Sequence, residues 1–311
     1  MFEPLCAALD AAGIACTRNE LLADHCTFRI GGPADIFIKP CDEIQLCRAV
    51  AFCKEQGARY YLLGNGSNIL FEDAGFRGAV LDLTAMKNGI GMKENIPGEE
   101  SGVVYCNVTV GAGMKLSTLC NFALNHSCTG LEFAYGIPGT VGGAIYMNAG
   151  AYGGEMKDVV RLVQVMCEDG SFREYTGTEM EFGYRTSRVL HEKSVALEAV
   201  LELTPGDPTA IQNRMEELKE ARITKQPLNY ASAGSTFKRP EGYFAGKLIQ
   251  DAGLSGFSVG DAQVSEKHCG FVINRGEATA ADVADLIRKV QEQVYEKFQV
   301  KLEPEVRMLG F

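Results

Sequence analysis

Three short segments of this chain place polar groups where chemistry is expected. In Phe182-Gly183-Tyr184-Arg185-Thr186-Ser187-Arg188, an arginine follows a glycine–tyrosine pair and precedes two hydroxyls. A guanidinium fork in that company suits two-point binding of a carboxylate, although a single arginine is more often a solvated surface charge. In Ala233-Gly234-Ser235-Thr236-Phe237-Lys238, a serine follows a glycine, and Lys238 would make the local field positive and ease loss of the serine proton. The bland alternative is a turn or cap. No GxSxG elbow or histidine–acid pair accompanies Ser235, so a hydrolase triad is disfavoured. Glu305, in Leu302-Glu303-Pro304-Glu305-Val306-Arg307, reads by itself as a strand-edge carboxylate paired with Arg307.

A second kind of chemistry, the holding of a phosphate, is suggested by glycine. Eight of the twenty-five residues in 130–154 are glycine, with aromatic residues between them. Glycine at this density costs backbone entropy and adds nothing to a core. It suits a main chain that must approach something flat or anionic, using its own N–H groups as donors. Ile137, Val141, Ile145, Tyr146 and Met147 make the segment too apolar for a flexible linker. Gly64-Asn65-Gly66-Ser67-Asn68 follows the apolar run Tyr60–Leu63 and resembles a phosphate nest. It lacks the closing Gly-Lys-Ser/Thr of a P-loop and does not meet the GxGxxG pattern. The turn at Gly111-Ala112-Gly113 precedes a predicted helix, and Arg29-Ile30-Gly31-Gly32 offers a fourth backbone-exposed site with a cation. Together these turns suggest one extended ligand, such as a diphosphate linked to a planar ring.

These segments need elements to position them. Apolar spacing predicts strands over 34–39, 60–63, 69–71, 79–83, 103–110 and 195–203, and a hairpin of 159–167 with 171–175 turning at Glu168-Asp169-Gly170. Helices are expected near the N-terminus up to Gly13, and over 42–56, 115–128, 209–224, 243–251 and 279–298. The last shows one apolar face, with Thr279 and Asp282 placed as a capping box. The polar stretch 87–101 reads as a solvent loop or hairpin, the tail 303–309 as extended, and Thr204-Pro205-Gly206-Asp207-Pro208 as the main boundary. Interleaved strands and helices put the class at α+β or mixed α/β.

Bulk properties narrow the function. The 311 residues are enough for two or three domains with substantial cores. A net charge of −10 argues against nucleic acid and anionic membrane surfaces, but not against a small anion in a locally positive pocket. No apolar run approaches the roughly eighteen residues of a membrane span, and Met1–Gly13 lacks the pattern of a secretory signal. Eleven cysteines, an odd number without any CxxC, supply no nucleus for a metal cluster and read as reduced thiols, which predicts a cytoplasmic protein without metal.

Taken together, seven segments resemble the UDP-N-acetylenolpyruvoylglucosamine reductase (MurB) family of bacterial wall synthesis. They are TFRIGGPAD (27–35), LLGNGSNIL (62–70), GLEFAYGIPGTVGGAIYMNAGAYG (130–153), GYRTSR (183–188), AGSTFKRP (233–240), AGKLIQDAGLSG (245–256) and LEPEVRMLG (302–310), in the family's order along nearly the whole chain. The resemblance implies an α+β fold with a PCMH-type FAD-binding domain over 1–205, in two lobes of about 1–82 and 83–205. A smaller α/β substrate-binding domain would span 206–300, and a C-terminal strand, 301–311, would return to the active site. It implies non-covalent FAD; covalent relatives of this fold often carry histidine after the paired glycines, where this chain has Pro33. NADPH would reduce the flavin, which would pass hydride to the enolpyruvyl methylene carbon of the substrate. By motif, Ser235 resembles the proton donor, and Arg185 and Glu305 the residues that stabilise or help protonate the intermediate.

The resemblance places the cofactor against Arg29, Gly64, Asn65, Gly66, Ser67, Asn68, Gly111, Ile137, Pro138, Gly139, Thr140, Gly142, Gly143 and Ala144, with Tyr184, Lys225, Lys238, Arg239, Lys267 and His268 toward the substrate. Only thirty-six residues separate Arg188 from Lys225, too few for the tyrosine-bearing loop of the longer family type, so this looks like the shorter type. Two other readings are another FAD oxidoreductase of the same fold and a silent flavin-binding regulator. Pro33 and the set Arg185, Ser235 and Glu305 speak against the first, and the intact trio against the second. A monomer without nucleic-acid or membrane partners is expected.

Overall fold

The computed structural model describes residues 2–86, 89–97 and 104–311. Part of the expected 87–101 loop, and the start of the strand expected at 103, lie outside them. Three sheets organise the described chain. In the first, strand Ala15–Leu21 pairs antiparallel with Pro33–Lys39, which runs parallel to Phe76–Asp82, itself parallel to Tyr60–Leu63. Strand Pro33–Lys39 is apolar on both faces because both are covered. Ile36 and Ile38 face helices Glu3–Ala11 and Glu43–Glu55, and Phe37 faces the C-terminal region. A register shift between Ala34 and Ile36 breaks the alternation, so Ala34 joins the face of Phe37.

The second sheet is antiparallel, in the order Phe172–Thr176, Val160–Met166, Val195–Pro205, Val104–Gly111, Ile90–Pro97. Helices Leu116–Asn125 and Val141–Tyr146 share a core with it through Leu116, Leu119, Val141 and Ile145. The hairpin of 160–166 with 172–176 turns where expected, at Gly170 with φ +85°. A third sheet, Ser258–Val259, Ala262–Val264 and Val272–Asn274, packs on helix Ala280–Phe298, whose Val283, Leu286, Ile287, Val290 and Val294 are buried. That helix is opened by the expected reciprocal cap of Thr279 and Asp282. The tail returns as strand Arg307–Leu309, parallel to Ile69–Phe71. It brings 302–306 beside the segment 233–238.

Thr204–Pro208 is a compact strand-to-helix junction, in which the Asp207 carboxylate accepts the main-chain N–H of Thr209 at the start of helix Pro208–Lys225. One core joins Phe37, Phe71 and Val80 to Phe237, Leu286 and Val306. No helix among the described residues is long and apolar enough to cross a membrane, and the eleven cysteines form no disulfide.

Candidate active site

A cleft of about 1610 Å³ runs between the sheets. A drug-sized ligand needs roughly 300–1000 Å³, so this one has room for a dinucleotide and part of a second molecule. Its floor is made by two glycine loops that touch. Asn65 Nδ2 donates to the Pro138 carbonyl at 2.7 Å. A Cβ on Gly64 would lie 2.6 Å from Thr140 Oγ1, and one on Gly66 would lie 2.1 Å from the His25 carbonyl oxygen, with φ at +60°. Only glycine permits that approach. Among the described residues, the N–H groups of Asn65, Gly66 and Ser67 have no partner, so the turn offers donors as a nest does.

The second loop is anchored from behind. Leu116 N–H donates to the Gly139 carbonyl, Val141 N–H to Met114 and Gly142 N–H to Ala112. Gly142 lies so close to Ala112 that a Cβ would come within 2.9 Å of its methyl. Thr140 Oγ1 accepts the N–H of Gly143 at the start of helix Val141–Tyr146. Arg29, Gly64 to Asn68, Ile137 to Thr140, Gly142, Gly143 and Ala144 all line the cleft. These donors and glycine contacts fit a pyrophosphate carrying a flat ring.

Two expectations are corrected here. Gly111 does not line the cleft; it closes the turn through the Met114 N–H, and that turn brings the Ala112 carbonyl to Gly142. The paired glycines 31 and 32 are not open to a ligand either. A Cβ on Gly31 would lie 2.5 Å from Phe71 Cβ, and one on Gly32 would lie 2.1 Å from the Asp73 carbonyl oxygen. Their role is packing, and only Arg29 of that segment reaches the cleft.

At the far end, Arg185, Ser235 and Glu305 line both this cleft and a smaller cavity of about 360 Å³. Arg185 Nε donates to Glu305 Oε1 at 2.7 Å, and Nη2 lies 3.4 Å from the Gly150 carbonyl. Glu305 therefore pairs with Arg185 rather than Arg307, whose guanidinium instead lies over the Tyr146 ring. Ser235 and Glu305 are brought together by Thr236, whose carbonyl accepts the Glu305 N–H and whose hydroxyl accepts the Val272 N–H. Burial pushes the Glu305 carboxyl above its ordinary range, and the opposing pull of Arg185 is the smaller effect.

The expected substrate side divides. Lys225 lines the main cleft, Tyr184, Arg239 and Lys267 the smaller cavity, and His268 both. His268 Nδ1 accepts the Gly270 N–H, which leaves Nε2 to carry the proton, and burial lowers its pKa toward this neutral form. Tyr184 Oη accepts the Arg239 main-chain N–H, and Lys267 Nζ caps the Ile223 carbonyl near the end of helix Pro208–Lys225. Lys238 lines neither cavity; it pairs with Glu303. The Lys238 charge is still felt in the site, since it helps draw the Glu305 carboxyl down against the effect of burial. Arg222 and Tyr152 also line the cleft. Neither was anticipated, although Arg222 lies at helical spacing from the apolar Ile211, Met215 and Leu218, an odd place for a charge.

An FAD-binding domain model matches residues 34–176, and the model for the C-terminal domain of UDP-N-acetylenolpyruvoylglucosamine reductase matches residues 226–309. The chain is 49% identical over 292 residues to the UDP-N-acetylenolpyruvoylglucosamine reductase of Clostridioides difficile (strain 630), covering 94% of this chain and 92% of that protein. It is 50% identical to the enzyme of that name from Agathobacter rectalis, covering 94% and 93%. The crystal structure of the reductase (MurB) from Thermus caldophilus superposes with a TM-score of 0.76 at 34% identity, over 95% of this chain and 98% of that one. The fold is thus α+β with a PCMH-type FAD-binding region and a smaller α/β part. Glycine loops built for a dinucleotide, an FAD-binding match and near half identity along almost the full length converge, and the chain belongs to the UDP-N-acetylenolpyruvoylglucosamine reductase family of FAD-dependent oxidoreductases.

Proposed function

We propose that this protein reduces UDP-N-acetylenolpyruvoylglucosamine to UDP-N-acetylmuramate with NADPH as the electron donor, a step in peptidoglycan precursor synthesis. Bound FAD supplies the relay of electrons from NADPH to the enolpyruvyl group. The observation that carries the reading is the meeting of Arg185, Glu305 and Ser235 where the two cavities join. The main cleft suits the cofactor and one end of an incoming nucleotide sugar, the smaller cavity takes more of that sugar, and reacting groups belong at their junction.

Each residue has a physical task. The Gly64–Asn68 loop holds the pyrophosphate through the free main-chain N–H groups of Asn65 to Ser67, and the Ile137–Gly143 loop adds those of Gly139 and Thr140. Arg185 supplies fixed positive charge where negative charge grows on the substrate carboxylate as an enolate forms. Ser235, a weak acid, protonates the strongly basic alpha carbon held against it. Glu305 orients Arg185 through their ion pair, and its burial favours uptake of a proton when that pair is disturbed in the same step. Lys225, Tyr184, Arg239, Lys267 and His268 receive the nucleotide sugar. In this reading 1–205 form the FAD-binding domain, 206–300 the substrate domain and 301–311 the returning strand, and the protein acts as a monomer.

The purified protein should be yellow, NADPH should bleach it without oxygen, and the colour should return only when UDP-N-acetylenolpyruvoylglucosamine is added. Bleached protein that stays bleached with this substrate would overturn the reading.

A further inference from the structure

Helix Pro208–Lys225 buries Ile211, Met215, Leu218 and Arg222, positions separated by four, three and four residues. That spacing is one stripe of a helix. Three members are apolar, as a buried stripe requires, but the fourth is a guanidinium only 8% exposed. Its Nε and Nη2 are buried and have no hydrogen-bond partner. A buried cation with unpaired donors is costly to folding, and burial accordingly pulls its pKa down. Such a cost persists where the cation serves a ligand.

Arg222 lines the main cleft, and its surroundings fix which part. Its Cδ packs on Gly136, where φ is +86° and a Cβ would come within 3.1 Å. Gly136 precedes Ile137, the first residue of the phosphate-cradling loop. The guanidinium carbon lies 5.3 Å from the Tyr152 ring centre. Two residues before Tyr152, the Gly150 carbonyl lies 3.4 Å from Arg185 Nη2. Arg222 therefore stands between the loop that suits a pyrophosphate and the end that holds Arg185, Ser235 and Glu305. In FAD the group between its pyrophosphate and its reacting atoms is the ring system itself.

We propose that Arg222 is the counter-charge for the pyrimidine edge of the bound flavin. Two-electron reduction adds two electrons and one proton to the ring at neutral pH, leaving one net negative charge on that edge. A fixed, desolvated cation beside it stabilises the reduced form and raises the reduction potential. The proposal rests on FAD occupying the cleft. The same N–H groups would also suit a phosphate of a nucleotide ligand, and the two sources separate by measurement.

The potential of bound FAD is read by xanthine and xanthine oxidase reduction against a reference dye. In Arg222→Met it should fall by at least roughly a tenfold shift in the reduced-to-oxidised ratio, about 30 mV for a two-electron couple. Arg222→Lys should recover part of the shift, since it keeps the charge and loses the fork. Affinity for UDP, used as the phosphate probe, should stay within about twofold. An unchanged potential in Arg222→Met with FAD bound would overturn the proposal, as would weakened UDP binding at constant potential, which would put a phosphate there. Should Arg222→Met fail to fold, the unaltered apoprotein still decides. It should bind 2-thio-FAD at least roughly tenfold more weakly than FAD, and equal affinity counts against the proposal. A colourless protein that takes up no FAD would overturn the cofactor reading itself, and this inference with it.

Discussion

Arg185 has φ at +55°, in the left-handed region where a side chain costs roughly 1–2 kcal/mol. The cost sits in a tight turn, closed by Gly183 and Thr186 bonding each other's main chains. That turn aims the guanidinium at Glu305, 120 residues away in sequence. Glu305 is held by two opposing effects: burial raises its pKa, Arg185 and more distantly Lys238 lower it, and burial wins. A carboxyl raised this way favours the folded state below its ordinary pKa, and that contribution is lost as pH rises through the folded value. If the protonated carboxyl serves the reaction, activity falls over the same rise. Glu305→Gln should therefore lower product formation by about 10²–10⁴-fold and remove that limb of the pH–rate profile, while NADPH still bleaches the flavin. An unaltered limb would assign the titration to another group. Ser235→Ala should likewise keep flavin reduction and lose product formation; equal loss of both half-reactions would make Ser235 a binding residue.

Among the elements, helix Ala280–Phe298 is tied to the first sheet by a charge at its end. Its N-terminus is capped by Thr279, and the Asp73 carboxylate from the loop before strand Phe76–Asp82 also accepts the N–H groups of Ala280 and Ala281, at 2.7 and 3.0 Å. A carboxylate there satisfies two unpaired donors and meets the positive end of the helix. Asp73→Ala should cost about 1–2 kcal/mol in urea unfolding, at least as much as Thr279→Ala, because it also cuts a bond between distant regions. The helix and its cap were legible in sequence because both signals are local: apolar residues at a period of 3.6 and a Thr–Asp pair three apart. Asp73 was not, since its partners lie more than two hundred residues on. Strand Ala15–Leu21 went unseen because it is a mostly exposed edge with no apolar alternation. The three strands between 258 and 274 were too short to show a period. The glycine loops were legible as ligand-facing, but glycines that pack on backbone, such as Gly31 and Gly32, look the same in sequence as glycines that face a ligand.

At the scale of the whole molecule, the cleft is walled by regions far apart in the chain: loop 64–68, loop 136–144, the turn at Arg185, the C-terminal end of helix Pro208–Lys225 and the segment that holds Glu305. A ligand that touches all of them binds only when they are assembled, so its binding free energy adds to folding. Part of that energy offsets costs built into the apoprotein, namely the unpartnered N–H groups of Asn65 to Ser67 and the unpaired donors of Arg222. Removing FAD should therefore lower the thermal midpoint, and adding it back should restore the midpoint in a concentration-dependent way. The gain is about 2.7 kcal/mol at one hundred times the dissociation constant. Gly66→Ala tests the same coupling from the protein side. Its Cβ must displace the His25 carbonyl in a left-handed conformation, which destabilises the apoprotein by more than about 1 kcal/mol and deforms the nest. FAD should then restore less of the midpoint in the variant than in the unaltered chain. An equal FAD-dependent rise in both would mean that the loop shapes the fold without holding the cofactor.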